Sequence, residues 1–304
     1  MAGLLAALAR QNHVVRGYLW AFGATLCFTT VEAFAKAASR AGIDPIQVTF
    51  FRCAFGTLVI IPFVVAAGRA ALRINWILGH VGRTVAGYLS MLSSFYALAH
   101  LEFAEAVALS YTRPLFLVVL AVMFLGETVR WRRWTAIAIG FVGVIVTARP
   151  GVGTVSFATL VAIFGAICVA IVGVFIKQLS ATERPESVIL FFGTFTTLVS
   201  LPPALAVWQP MDAPVFTMLV LVGALGSLGQ FCVIRAYRLV EATSIEPIDY
   251  VKLVFATLIG FAFFGEWPDL WVFAGAAIII GSTLYITRRE ARLARAEREP
   301  PGRG

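Results

Sequence analysis

Ten stretches of about 20 mostly apolar residues follow one another along this 304-residue chain, each long enough to cross a bilayer as an α-helix. They run over 17–38, 46–67, 79–99, 103–125, 133–149, 156–178, 187–208, 213–236, 241–264 and 268–287. The connections are mostly short and leave no room for a separate soluble domain. Composition agrees. Hydrophobic residues make up 60% and charged residues 13%, against about 25% charged in soluble domains. The mean hydropathy is +0.89. Such a chain has no polar coat, so lipid is the solvent for most of it. Met1–Arg16 is too short, and too quickly followed by a span, to read as a cleaved signal peptide. It reads as a short cytoplasmic tail.

The net charge of +8 suggests nucleic acid at first, but its distribution does not. With the N-terminus inside, 18 of the 24 Lys and Arg fall in inside segments. Arg40 and Arg149 are outside, and Lys36, Arg52, Arg113 and Lys252 lie within spans. This is the positive-inside pattern, and it predicts an even number of spans with both termini cytoplasmic. A multi-pass protein of the cell inner membrane follows, with lipids as its surroundings and no nucleic-acid partner. Cys27, Cys53, Cys168 and Cys232 all fall in spans and read as small apolar fillers.

The second half repeats the first at an offset of about 140 residues. Pro45, Val48, Phe51, Thr57 and Pro62 meet Pro185, Val188, Phe191, Thr197 and Pro202. Phe34, Lys36 and Ser39 meet Phe175, Lys177 and Ser180. Tyr111, Gly126 and Glu127 meet Tyr250, Gly265 and Glu266. Each unit holds five spans, an odd number, so the copies face opposite ways. The loops agree: Glu127–Arg133 carries three arginines and Glu266–Trp271 none. The predicted fold is an all-α membrane protein of ten transmembrane helices in two inverted five-helix repeats. Residues 1–150 form the first unit and 151–287 the second, with a basic cytoplasmic tail over 288–304. Inverted repeats are common in secondary transporters, with substrate near the midplane.

Several motifs carry a family resemblance. Phe50-Phe51-Arg52, Phe95-Tyr96-Ala97-Leu98, Ala104-Glu105-Ala106, Pro114-Leu115-Phe116, Phe124-Leu125-Gly126-Glu127, Asp249-Tyr250-Val251-Lys252-Leu253 and Gly265-Glu266-Trp267-Pro268-Asp269 resemble the EamA type of the drug/metabolite transporter superfamily. The resemblance runs from about Gly17 to Tyr285. It implies ten helices in two inverted repeats, both termini inside, and a central cavity. Relatives in that family include amino-acid exporters and uptake systems for S-adenosylmethionine and riboflavin. Arg113, just before Pro114, departs from the small or apolar residue expected there.

Six charges lie deep in spans: Glu32, Arg52, Arg113, Glu246, Asp249 and Lys252. Each costs roughly 2.5–3.5 kcal/mol at the bilayer centre on insertion scales. Two readings stand. They line a substrate path, or they form ion pairs that lock helices. Glu32 aligns with Gly173, Arg52 with Phe192, Asp249 with Ser110 and Glu246 with Val107. The scaffold is symmetric and these charges are not, which favours a specific task. Glu246, Asp249, Tyr250 and Leu253 follow the i, i+3, i+4, i+7 spacing and share one helix face. Tyr111 and Tyr250 offer ring and hydroxyl to an amphipathic solute, or close the cavity structurally. The expected substrate site is Glu32, Arg52, Tyr111, Arg113, Glu246, Asp249, Tyr250 and Lys252.

Pro114 and Pro247 each remove a backbone donor, freeing a carbonyl for a ligand or merely kinking the helix. Gly126 and Gly265 read as C-terminal caps. Lys36 and Lys177 read as snorkelling anchors near opposite surfaces. No ATP-binding loop is encoded, and the three histidines show no metal-ligand spacing. No cofactor and no enzymatic activity are expected. The expected function is secondary transport of a small polar or zwitterionic metabolite by alternating access, proton-coupled or by exchange. The alternatives are an exporter of amphipathic compounds and a passive channel-like facilitator.

Overall fold

The computed structural model describes residues 2–67, 74–125, 131–148, 156–179, 183, 185–239 and 250–298. Among them are eleven α-helices and no strand. The first half holds α1 (Ala2–Arg40), α2 (Pro45–Ala67), α3 (Ile77–His100), α4 (Phe103–Ser110), α5 (Arg113–Leu125) and α6 (Trp131–Ala148). The second holds α7 (Phe157–Leu179), α8 (Pro185–Ala206), α9 (Ala213–Leu239), α10 (Val251–Phe264) and α11 (Leu270–Arg298). Five stretches are long and apolar enough to cross a membrane by length and composition. They are Val15–Arg40, Phe103–Phe124, Phe157–Ile176, Ser187–Ala206 and Ala213–Val233. Shorter apolar helices cover Pro45–Val59, Trp134–Ala148, Val251–Phe264 and Leu270–Ile286.

The span read over 103–125 is two helices. Tyr111 and Thr112 form a turn, with Tyr111 N–H donating to Ala108 O (3.2 Å) and Thr112 N–H to Leu109 O (3.1 Å). Pro114 then sits in the first turn of α5, where its missing N–H would have no helical partner in any case. The proline therefore starts a helix here and does not kink one. Helix α10 begins at Val251, immediately after Tyr250, the equivalent of Tyr111. The face expected to join Glu246 and Asp249 to Tyr250 and Leu253 lies mostly outside the described residues, as do Glu246, Pro247 and Asp249 themselves.

Helix packing obeys a twofold relation between the halves. Helix α1 packs on α9, and its equivalent α7 packs on α3, the equivalent of α9. Helix α2 packs on both α8 and α9, while α8 packs in turn on α3. Self-equivalent pairs lie together: α2 with α8, and α6 with α11. The last pair crosses at Gly143 and Gly275. A Cβ on Gly275 would stand 2.7 Å from the Gly143 carbonyl oxygen, so only paired glycines allow this approach.

Polar side chains in the spans are largely satisfied by their own helices. Thr29, Thr49, Thr84 and Thr147 each donate to the carbonyl four residues earlier, at 2.7–3.0 Å. These hydroxyls therefore do not mark a continuous pore.

Two ends of the bundle are tied by side chains that reach across the halves. Gln47 donates to Gln209 O (3.1 Å) and accepts from Gln209 N–H (2.9 Å), fixing the approach to α9. Glu183, just before α8, accepts from Asn75 N–H (2.7 Å) and Trp76 N–H (2.8 Å), fixing the start of α3. A third tie corrects an expectation. Lys36 is no snorkelling anchor; it is 2% exposed. Its ammonium pairs with Glu266 Oε1 at 3.0 Å and donates to Leu98 O (3.0 Å) and Leu101 O (2.5 Å). Arg40 joins the same carboxylate, whose Oε2 accepts from Phe103 N–H at 2.8 Å. The ends of α1, α3 and α10 and the start of α4 are thereby locked together. Gly265 makes this possible by capping α10 at φ +66°, a left-handed conformation that suits glycine, and turns Glu266 inward. The side chain of Lys177 and the Gly126–Glu127 pair lie outside the described residues.

Candidate functional site

The helix starts that follow Tyr111 and Tyr250 decide where the deepest charges stand. Two residues after each tyrosine, each half presents a cation from the first turn of a helix: Arg113 on α5 and Lys252 on α10. The offset from 113 to 252 is the one that relates 111 to 250. The two cations are therefore repeat equivalents. The expectation that the buried charges depart from symmetry holds for Glu32 and Arg52 and fails for this pair.

Both cations line one cavity of about 130 Å³. Glu32 of α1 is the carboxylate on its wall, Ser94 of α3 and Ser110 of α4 add hydroxyls, and small side chains of α4 and α7 complete it. Gly165 and Ala166 of α7 lie on that side, and a Cβ on Gly165 would stand 2.9 Å from the Ser93 Cβ of α3, so the glycine lets α7 approach α3 there. The Lys252 ammonium donates to Glu32 Oε1 at 2.5 Å, joining the two halves across the cavity. Their side chains are 12% and 22% exposed, so the pair is largely withdrawn from water and only weakly screened. Among the described lining residues the cavity holds two cations and one carboxylate. It can meet opposite charges on one small solute.

The other expected site residues stand elsewhere. Tyr111 and Tyr250 meet edge to face, with ring centroids 5.1 Å apart. Tyr111 is buried in the main apolar core, and Tyr250 packs against it. Their rings join the halves two residues before each cation in the chain. Arg52 is not among the cavity lining. It lies between α2 and α9 with its guanidinium over Gly226, where any Cβ would overlap it. Phe192, the repeat equivalent of Arg52, rests in the same way on Gly87, the equivalent of Gly226. One packing position thus holds an arginine in one half and a phenylalanine in the other. Arg83 stacks on that phenylalanine at 4.1 Å from the ring centroid. Glu246 and Asp249 are outside the described residues.

Two members of the cavity carried no sequence signal of their own. Ser94 is one serine among several on α3, and only the packing of α3 against α7 turns it inward. Ser110 was legible only as the equivalent of Asp249. Among the described residues, no group of three or more His, Cys, Asp or Glu could hold a metal ion.

Comparison with known proteins gives a consistent family picture. The profile of the EamA-like transporter family matches the chain twice, over residues 15–149 and 156–288. The S-adenosylmethionine uptake transporter of Rickettsia conorii is 32% identical, over 93% of this chain and 97% of that protein. The riboflavin transporter of Vibrio cholerae is 30% identical, over 95% and 98%. A pseudopaline exporter of Pseudomonas aeruginosa is 29% identical, over 90% and 96%. A crystal structure at 22% identity superposes with a TM-score of 0.62 over 91% of this chain and 98% of its own, a likeness of fold.

Proposed function

The chain belongs to the EamA-like transporter family, and on that premise we propose that it carries a small zwitterionic metabolite across the inner membrane by alternating access. The observation that supports this solute class is the cavity wall, where Glu32 faces Lys252 with Arg113 nearby. A solute with a cationic and an anionic group can pair with both signs. An apolar solute would displace water and leave those charges unmatched, at a cost of several kcal/mol in a low-dielectric site, on the order of that for burying unpaired polar groups. S-adenosylmethionine, the solute named for the Rickettsia conorii relative, has an ammonium, a carboxylate and a sulfonium, and is the first candidate.

In this reading the site comprises Glu32, Arg113 and Lys252 as charge partners. Tyr111 and Tyr250 form the hinge behind them, and Arg52, Glu246 and Asp249 extend the polar path. Residues 1–150 and 151–287 act as the two inverted units, with both termini and the tail over 288–304 cytoplasmic. Glu32 is the described carboxylate best placed to carry a coupling proton, since it faces the solute. The chain acts as a carrier and returns its solute unchanged, as an enzyme would not.

The test is flux into proteoliposomes of purified protein. Expected is saturable S-adenosylmethionine uptake that shows counterflow and falls at least about tenfold in Glu32→Gln. Uptake without counterflow would replace the carrier with a channel. Counterflow of riboflavin but not of any zwitterion would overturn the solute class. An imposed pH gradient that leaves the rate unchanged would remove the proton. Orientation has its own check. On a cysteine-free background, a thiol reagent outside intact cells should reach position 212 and spare position 295.

A further inference from the structure

Lys252 and Glu32 come from opposite halves of the chain, and their side chains close across the cavity at 2.5 Å. Lys252 stands where any cationic group seeking Glu32 would have to stand. Its repeat equivalent, Arg113, lines the same cavity. The carboxylate has no such equivalent: position 173 in the second half is glycine. One half thus supplies an anion, and the other supplies the cation that covers it.

A carrier that is not bound to exchange crosses twice per cycle, once loaded and once empty. In the loaded passage a cationic group of the solute can cover Glu32. In the empty passage no solute does, and a carboxylate that loses its partner within the bilayer is costly. We propose that Lys252 is a tethered stand-in for the cationic group of the solute, pairing with Glu32 in the empty carrier and yielding it to the incoming solute. The idea rests on the alternating-access reading above. It also assigns Lys252 a second task. Once displaced, its ammonium is itself uncovered and takes the anionic group of the same solute, with Arg113 beside it. A solute with only a cation leaves Lys252 unpaired, and one with only an anion leaves Glu32 covered and unavailable. The exchange of partners therefore selects solutes that bring both charges, which makes Lys252 a specificity-determining residue as well as a cavity wall.

The empty passage can be read without any solute. Ser94 lines the cavity, so Ser94→Cys on a cysteine-free background reports access to it. In membrane vesicles of both orientations, washed free of small solutes, a membrane-impermeant maleimide should label position 94 from either face. Lys252→Met should keep labelling from one face and slow it from the other by at least about tenfold, because Glu32 loses its ammonium partner. Glu32→Gln should do the same, leaving Lys252 uncovered. The double variant Glu32→Gln/Lys252→Met removes both members of the pair together and should restore labelling from both faces, as should Lys252→Arg. Two-sided labelling at the parent rate in Lys252→Met, or in Glu32→Gln if the former does not reach the membrane, would overturn the stand-in role. A double variant that remains one-sided would do so too, because it would make the defect one of packing. Labelling of the parent from one face alone would overturn alternating access itself, and the stand-in role with it.

Discussion

Thr57 Oγ1 and Thr197 Oγ1 stand 3.4 Å apart, and the two residues occupy the same position in the two repeats. Each hydroxyl donates to the carbonyl four residues earlier in its own helix, Cys53 and Gly193, at 2.8 Å in both cases. Tyr111 and Tyr250 are a second equivalent pair in direct contact. A residue can touch its own equivalent only on the axis that relates the copies. The two contacts therefore mark two points on the molecular pseudo-twofold, one between α2 and α8 and one just before α5 and α10. The charge pair of the cavity breaks that symmetry next to one of those points.

The axial contact gives a direct check on the arrangement of the halves. Thr57→Cys/Thr197→Cys, on a cysteine-free background, should oxidise to an intramolecular disulfide in membranes, seen by mass spectrometry of the linked peptides. Moving one cysteine to Leu198, which is 60% exposed and points outward, should abolish the link. Equal cross-linking of both pairs would contradict the axis.

The tie at Glu266 should dominate the stability of its end of the bundle. Glu266→Gln removes the carboxylate from buried Lys36, and breaking one side of a buried pair costs about 3–5 kcal/mol. A marked fall in the unfolding temperature of the purified protein is expected. The double variant Lys36→Met/Glu266→Gln should recover much of the loss, since it leaves no buried ammonium without its carboxylate, and Arg40 is 46% exposed. Additive losses in the double variant would show that the two residues do not act as a pair.

Glycines of α11 should differ sharply in tolerance. Gly275→Ala drives a methyl onto the Gly143 carbonyl and Thr147 and should cost about 1–3 kcal/mol, as overpacking does. Gly281→Ala meets nothing within 4 Å and should be neutral or slightly stabilising. Thermal unfolding of the two variants side by side measures the difference.

Solute preference should follow the charges of the wall. Removing Arg113, as Arg113→Gln, should weaken competition by zwitterions more than by their carboxamide counterparts, which lack the anion. The expected shift is about tenfold, at the lower end of a charge-assisted hydrogen bond's worth of about 1.5–3 kcal/mol. Competition assays against S-adenosylmethionine uptake would read it. Equal weakening for both solute types would place Arg113 outside the binding contact.

Ten spans were legible because a bilayer demands unbroken apolar runs, and the repeat was legible because three blocks kept nearly one offset. The helix break at Tyr111 was not. Pro114 lies in an apolar run with no glycine beside it, and nothing local separates a kink from a fresh start. Lys36 was misread for a different reason. Its partner Glu266 is 230 residues away, and a lysine near a span end looks the same whether it reaches for water or for a distant carboxylate. The equivalence of Arg113 and Lys252 was present in the numbering all along, but arginine against lysine is a match of charge and not of letter. Which charges share a cavity depended on how α1, α5 and α10 converge.

The main helix pairs of this molecule join one half to the other: α1 to α9, α3 to α7, α6 to α11 and α2 to α8. During synthesis the first five spans thus enter the membrane before most of their neighbours exist. They must wait in lipid with Gly143, Glu32 and the α3 serines facing partners not yet made. Birth order becomes part of the folding problem, and the nascent first half is a natural client for a membrane chaperone. A gene split between the repeats should yield two fragments that are degraded when made singly and persist when made together.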